Sequence, residues 1–302
     1  MIKILLLFTS LAFLLPKPVN AQTFTYNFSA GYDNWQGDFS DYPVGEEDFY
    51  LLDFNRTTLP EPLDTNKYSL MITGDNHSDD LFMFLKRKIT GLLPNTAYEL
   101  VITVEFASNA PTNAPGVGGA PGEGVTVKAG ATLIEPQKII IDNYYQMNID
   151  KNDQQQPGED MDVIGHVGVS DTTTEFTLIT RDNETYPFYI TTGSSGEVWV
   201  CIGTDSGYEA VTTLFYNQIT LVFTSILSID GKSKELFIYP NPVIDMLFVP
   251  VKNMAYSIID TYGKNIRSGT IYDSSSINVG SLPSGLYFLN LENNKSYKFI
   301  KQ

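Results

Sequence analysis

Between residues 98 and 106 the chain alternates without a break. Tyr98, Leu100, Ile102, Val104 and Phe106 share one side, and Glu99, Val101, Thr103 and Glu105 share the other. A period of two predicts a strand with one buried face and one wet face. The same period links Phe215, Ile219, Leu221 and Phe223. Further strands are expected at 23–28, 49–54, 68–73, 81–89, 139–148, 175–180, 186–191 and 197–202, rich in β-branched and aromatic residues and bounded by turn formers. No stretch carries a helical period with caps. About ten strands over some 200 residues predict a jelly-roll-like β-sandwich, whose chemistry sits on loops or on a concave sheet face.

From Glu235 the apolar runs become shorter, at 236–239, 246–251, 257–260, 286–291 and 297–300, with Asn-Pro, Tyr-Gly and Pro-Ser-Gly between them. That spacing predicts a small antiparallel sandwich of about seven strands. The fold class expected is therefore all-β, a jelly-roll-like β-sandwich over 22–223 followed by a small immunoglobulin-like β-sandwich over 235–302. The polar stretch 224–234 (TSILSIDGKSK) is the expected linker. Residues 1–21 open with Lys3, run apolar from Ile4 to Leu15 and close on Val19-Asn20-Ala21, which reads as a signal peptide. That run falls short of the roughly 20 residues a bilayer requires, and Pro16 and Pro18 end it. No other segment is long and apolar enough, so no transmembrane segment is expected in the mature chain.

Charge separates the two parts. The 302 residues include 19 Lys and Arg against 35 Asp and Glu. Nearly all of the acidic excess lies in 22–223, with 9 basic and 29 acidic residues, whereas 235–302 holds 6 basic and 5 acidic. An acidic surface of this kind excludes nucleic acid as a partner. Cys201 is the single cysteine, so an intramolecular disulfide, a thiolate zinc cage and a lipidated N-terminal cysteine are all excluded. Stability in an oxidising compartment must then come from core burial or bound ions.

Four landmarks at the C-terminus carry a family resemblance: Tyr239-Pro240-Asn241-Pro242, Ile259-Asp260-Thr261-Tyr262-Gly263-Lys264, Leu282-Pro283-Ser284-Gly285-Leu286-Tyr287, and the terminal Lys298-Phe299-Ile300-Lys301-Gln302. In this order, behind a leader, they resemble the type IX secretion C-terminal sorting domain. The resemblance implies export across the outer membrane of a Gram-negative bacterium, recognition by the type IX secretion machinery, and delivery to the medium or the cell surface. It assigns Pro240, Asn241, Pro242, Asp260, Gly263, Gly285, Lys298 and Lys301 to the sorting motif. Prolines at strand ends withhold ladder donors and limit edge pairing. The lysines of the last strand offer a basic recognition surface. Asp41–Gly45, Asn76–Arg87 and Gly118–Glu123 resemble segments of a family of secreted bacterial β-sandwich proteins; this implies an intact domain and supplies no activity.

Three acidic loops of 22–223 offer hard oxygen donors suited to calcium. Asp75, Asp79 and Asp80 lie in Gly74–Asp80, and Asp205 and Glu209 lie in Gly203–Glu209. The third, Asp150–Asp162, also lacks the glycine of an EF-hand loop. The competing reading is solvated, Asx-capped turns. Trp35, Phe39 and Tyr42 stand among polar residues, as Tyr208 does, so Trp35, Tyr42, His77 and Tyr208 are candidate ligand contacts: exposed rings stack on sugars while nearby polar groups bind hydroxyls. His166 sits in an apolar context and reads as a structural imidazole. No nucleophile with an adjacent base stands out, so no catalytic residue is assigned. The loop Ser108–Gly124 is long, rich in Gly and Pro, and either functional or mobile. The reading is a non-catalytic glycan-binding module, with calcium as a candidate cofactor. A sandwich-fold hydrolase or lyase, or a structural or adhesive surface protein, is the alternative.

Overall fold

The computed structural model describes residues 21–78, 80–170, 174–226, 238–249, 251, 254–272, 276–292 and 296–302. Residues 1–20 of the expected leader, residues 227–234 of the expected linker, and Asp79 lie outside them. The described residues contain strands and no helix, in two compact units, Met1–Leu227 and Ser228–Gln302.

The first unit holds fifteen strands: β1 (Ala21–Tyr26), β2 (Gln36–Ser40), β3 (Tyr42–Pro43), β4 (Asp53–Thr58), β5 (Tyr68–Asp75), β6 (Leu81–Ile89), β7 (Ala97–Ser108), β8 (Val125–Thr132), β9 (Lys138–Ile141), β10 (Tyr144–Met147), β11 (Asp162–His166), β12 (Thr177–Asp182), β13 (Phe188–Thr191), β14 (Val198–Ser206) and β15 (Val211–Ser225). One antiparallel sheet runs β12-β7-β15-β5-β4, with β1 added on β15 and β13 on β7; the other runs β11-β8-β14-β6-β2. Strands β5, β6, β7 and β8 alternate between the two sheets, a jelly-roll-like path. Each sheet must bury one face, and together they enclose a core that includes Leu100, Ile102, Val104 and Phe106 of β7, Leu81, Met83 and Leu85 of β6, and Ile219, Leu221 and Phe223 of β15.

The phase of β15 breaks where the sequence reading had it continuous. A bulge at Asn217 shifts the register between Tyr216 and Gln218. Leu214 and Tyr216 therefore point inward before it, and Phe215 lies on the opposite face from Ile219. The single strand expected over 139–148 is instead a hairpin, because Asp142 and Asn143 both adopt positive φ, 50° and 63°, the turn that reverses β9 into β10.

The decisive difference lies on the outer face of the five-stranded sheet. That face is buried beneath residues 133–161, which carry β9 and β10. Phe82, Phe84 and Cys201 pack there with Ile149 and Met161 in a second apolar cluster. Gly130 of β8 is needed for this approach, since a Cβ there would stand 2.0 Å from the Asp160 carbonyl oxygen. Strand β8 is thus covered on both sides, which hid it from alternation: all eight of its residues are buried, Lys128 among them.

The second unit holds β16 (Met246–Phe248), β17 (Met254–Asp260), β18 (Asn265–Ile271), β19 (Ser276–Asn278), β20 (Gly285–Leu291) and β21 (Ser296–Lys301). The sheet β18-β17-β20-β21 and the pair β16-β19 close over Val243, Leu247, Ile258, Leu289 and Phe299. This is a small sandwich with its own core.

Candidate functional site

Four lysines stitch the 133–161 cover to the sheet beneath it. Two reach up from the sheet: Lys86 Nζ donates to Glu135 Oε1 at 2.7 Å and to the Pro136 carbonyl at 2.8 Å, and Lys128 Nζ donates to the carbonyls of Lys151 and Asn152 at 2.8 and 3.0 Å. Two reach down from the cover: Lys138 pairs with Asp38 at 3.0 Å, and Lys151 bridges Asp205 at 2.9 Å and Asp41 at 3.0 Å. Lys128 also pairs with Asp205 at 3.0 Å. The side chains of Lys128 and Asp205 are both 0% exposed. Asp205 Oδ2 therefore accepts from Lys128, Lys151 and the Gln154 amide, while Oδ1 has no partner.

A pocket of about 320 Å³ opens beside this network. Asp41 and Asp80 line it from the loops before β3 and β6, with Tyr144, Gln146, Lys151 and Asp153 of the cover. Burial and the neighbouring carboxylates of Asp205, Asp41 and Asp153 push Asp80 up to about 7, with Lys151 acting against them. Burial likewise raises Asp41. Burial opposes the charge of Lys151, yet Asp205, Asp41 and Asp80 hold its pKa above the ordinary lysine value; Lys128 is lowered by burial. The pocket is therefore lined by acceptors, an amide, a phenol and an ammonium that stays charged. An aromatic cluster adjoins Ser78, a hydrogen-bonded neighbour of Asp41. Ser78 Oγ donates to the Asp41 carbonyl at 3.1 Å, and the preceding His77 stacks on Phe49 at 4.1 Å, with the Tyr50 ring edge-on at 5.4 Å. Phe49 is 57% exposed.

The residues singled out from sequence divide. Trp35 and Tyr42, read as exposed platforms, are core residues at 2% and 0% exposure. Trp35 packs edge-on against Tyr26 at 5.7 Å, and Tyr42 lies against Tyr50 and Tyr145 with Lys138 Nζ donating to its hydroxyl. Asp80 lines the pocket and Asp205 sits behind it, engaged by ammonium groups. Asp75 holds His77 Nε2 at 3.2 Å, and Glu209 is exposed with its amide on the Val117 carbonyl. Tyr208 lines a different concavity. Among the described residues no three His, Cys, Asp or Glu side chains are grouped to hold a metal ion. His166 accepts from the Gly168 amide at Nδ1, a structural role. Sequence reasoning missed Asp41, Tyr144, Gln146 and the three buried lysines, Lys86, Lys128 and Lys151. A signal was present: Lys128 stands alone in the apolar run Val125–Thr132, and Lys151 alone in an acidic loop, where a lone cation marks a paired charge.

The landmark residues of the second unit make its turns. Asn241 Nδ2 donates to the Lys298 carbonyl at 3.0 Å and its Oδ1 accepts the Ile300 amide at 2.8 Å, tying the first landmark to the last strand. Asp260 Oδ1 accepts the amides of Tyr262 and Lys264, and Gly263 takes φ +80° in that turn. Pro240 and Pro242 flank Asn241, and Gly285 opens β20 opposite Lys301. Lys298 is exposed, whereas Lys301 is buried, so the basic surface expected from the last strand rests on Lys298.

Residues 237–302 match the secretion system C-terminal sorting domain. This type IX sorting domain implies secretion or a place on the cell surface. No curated protein matches the chain. Among solved structures, the chain is similar to bacteriophage CBA120 tailspike protein 4 (8% identity, TM-score 0.28, 62% of this chain), of which it spans 19%. It is similar to the carbohydrate-binding module TmCBM61 in complex with β-1,4-galactotriose (8%, TM-score 0.28, 63% of this chain and 88% of that). It is also similar to a putative sugar binding protein from Bacteroides thetaiotaomicron (11%, TM-score 0.32, 62% and 86%). Likenesses at this level carry nothing about ligand or activity. No described helix is long and apolar enough to cross a membrane.

Two outcomes follow from the charge network. Asp205→Asn removes the anion shared by two buried ammonium groups and is expected to cost about 3–5 kcal/mol, measured by urea unfolding. For Asp80, the folded pKa lies above the unfolded value, so the native state binds the extra proton. Its contribution favours folding at low pH and is lost as pH rises from about 4 through about 7. Asp80→Asn is expected to raise Tm at pH 8 by about 2–4 °C, and to flatten the rise of Tm on acidification to pH 5.

Proposed function

We propose that residues 21–226 form a glycan-binding module of an exported protein, with the sugar seated in the pocket between the 133–161 cover and the loops of Asp41 and Asp80. The pocket itself is the observation that carries this. It offers acceptors (Asp41, Asp80, Asp153), an amide (Gln146) and a phenol on an aromatic ring (Tyr144). A polyhydroxylated ligand supplies donors to the carboxylates and a C–H face to the Tyr144 ring. The mouth is shallow and polar, which suits a chain of sugars more than an apolar small molecule. The sorting domain would take this module through the outer membrane of a Gram-negative bacterium.

Hydrolysis is a second reading, favoured by one observation. A carboxyl group held near 7 inside a pocket is what a general acid needs, and Asp80 is such a group. Release of reducing sugar abolished in Asp80→Asn would establish it.

A glycan array probed with the mature chain is expected to return hits within one glycan class. Those hits should weaken at least tenfold in Tyr144→Ala and Gln146→Ala, with Tm unchanged. A blank array, or hits indifferent to both changes, would sink the proposal. For export, a chain ending at residue 237 is expected to stay in the periplasm, and its normal appearance at the surface would overturn the sorting role.

A further inference from the structure

A second concavity, of about 150 Å³, lies at the end of the sandwich where β7 stops and β15 begins. Pro111 and Pro121 come from the long loop after Ser108, Tyr208 from the turn between β14 and β15, and Asn109 and Thr212 supply an amide and a hydroxyl group, while the neighbouring Thr213 hydroxyl is bonded to Thr73 at 2.6 Å. No carboxylate or ammonium lines it.

The loop that forms it is packed to a defined shape. A Cβ on Gly116 would stand 2.2 Å from the Gly119 carbonyl oxygen and 2.7 Å from the Tyr208 ring; one on Gly122 would stand 2.7 Å from the Pro111 carbonyl oxygen. Backbone bonds fasten the loop to its surroundings: Thr112 to Ser170 at 3.2 Å, Val169 to Ala110 at 2.9 Å, Gly207 to Gly124 at 2.9 Å and Glu209 to Val117 at 2.9 Å. Loops of this length without strands in compact domains are usually functional, and one whose glycines are fixed by close approach holds its walls ready before a ligand arrives.

We propose that this concavity is a second carbohydrate site, taking a single neutral pyranose ring. The size admits one ring and little more. The Tyr208 ring and the two prolines offer an apolar surface to the C–H face of a pyranose, and Asn109 and Thr212 are placed to exchange hydrogen bonds with its hydroxyls. Charged sugars are disfavoured because an ion brought into this lining would lose water without gaining a counter-charge. The site shares no lining residue with the first pocket and does not depend on that pocket binding anything.

Saturation-transfer NMR on the full mature chain tests this, with the methyl glycosides of glucose, galactose and mannose as probes and methyl glucuronide as the charged counterpart. Transfer to the ring protons of at least one neutral glycoside is expected, and none to the glucuronide. Binding should weaken at least tenfold in Tyr208→Ala and in the shape-conserving Thr212→Val, and stay unchanged in Tyr144→Ala. Several results would overturn the proposal: no transfer to any neutral glycoside, equal transfer to the glucuronide, or binding unaltered in either folded variant. Binding lost only in Tyr144→Ala would place the sugar in the first pocket, overturning this site while upholding the other.

Discussion

Reciprocal pairing of four lysines, three of them buried, between the five-stranded sheet and its cover fixes how the first unit is built. Taking an ammonium and a carboxylate out of water costs several kcal/mol per ion unless geometry and further hydrogen bonds offset it. Here they do. Lys128 Nζ has three acceptors, and Asp205 Oδ2 has three donors. Two of the Lys128 acceptors are main-chain carbonyls of adjacent residues, so the 151–152 backbone satisfies the ammonium in one placement only. The apolar cluster of Phe82, Phe84, Ile149, Met161 and Cys201 would tolerate some sliding; the carbonyl contacts would not. A charged lock therefore sets where the cover sits, and the pocket is the space that this placement leaves.

The same arrangement explains why the unit presents so acidic an exterior. Five of its lysines, Lys86, Lys88, Lys128, Lys138 and Lys151, are engaged with carboxylates, and Arg56 and Arg181 donate to backbone carbonyls. Cations held in these pairs leave the surplus of Asp and Glu facing solvent, which repels polyanions. With Cys201 buried and its thiol raised by burial, no covalent cross-link contributes. Cohesion comes from the core between the sheets, the smaller cluster under the cover and the ion network. The sorting domain stands on a separate apolar core, and its landmark residues are the hydrogen-bonded turns that close that core.

Strands with one wet face were legible because their neighbours impose alternation: β7 keeps Tyr98, Leu100, Ile102, Val104 and Phe106 buried along its length. Strand β8 was not legible, since a strand covered on both faces loses the period. Trp35 and Tyr42 misled for a related reason. Their polar neighbours in sequence lie in turns or in the short strand β2, while their own rings are claimed by Tyr26 on β1 and by Tyr145, about a hundred residues on. The acidic loops were visible as loops, yet the roles of their carboxylates depended on which lysines would meet them.

The all-β class, the split between an acidic unit and a near-neutral tail, and the sorting landmarks in order were all legible along the chain. These depend on local period, composition and short turn motifs, which neighbouring residues specify. The tertiary structure decided which charges were buried, where the cover docked, and that Asp41, Asp80, Tyr144, Gln146 and Lys151 would share one pocket. Those outcomes rest on pairings across tens of residues, such as Lys128 with Asp205 and Lys151 with Asp41. Whether a charge is solvated or locked in place depends on what covers it, and no local pattern encodes that.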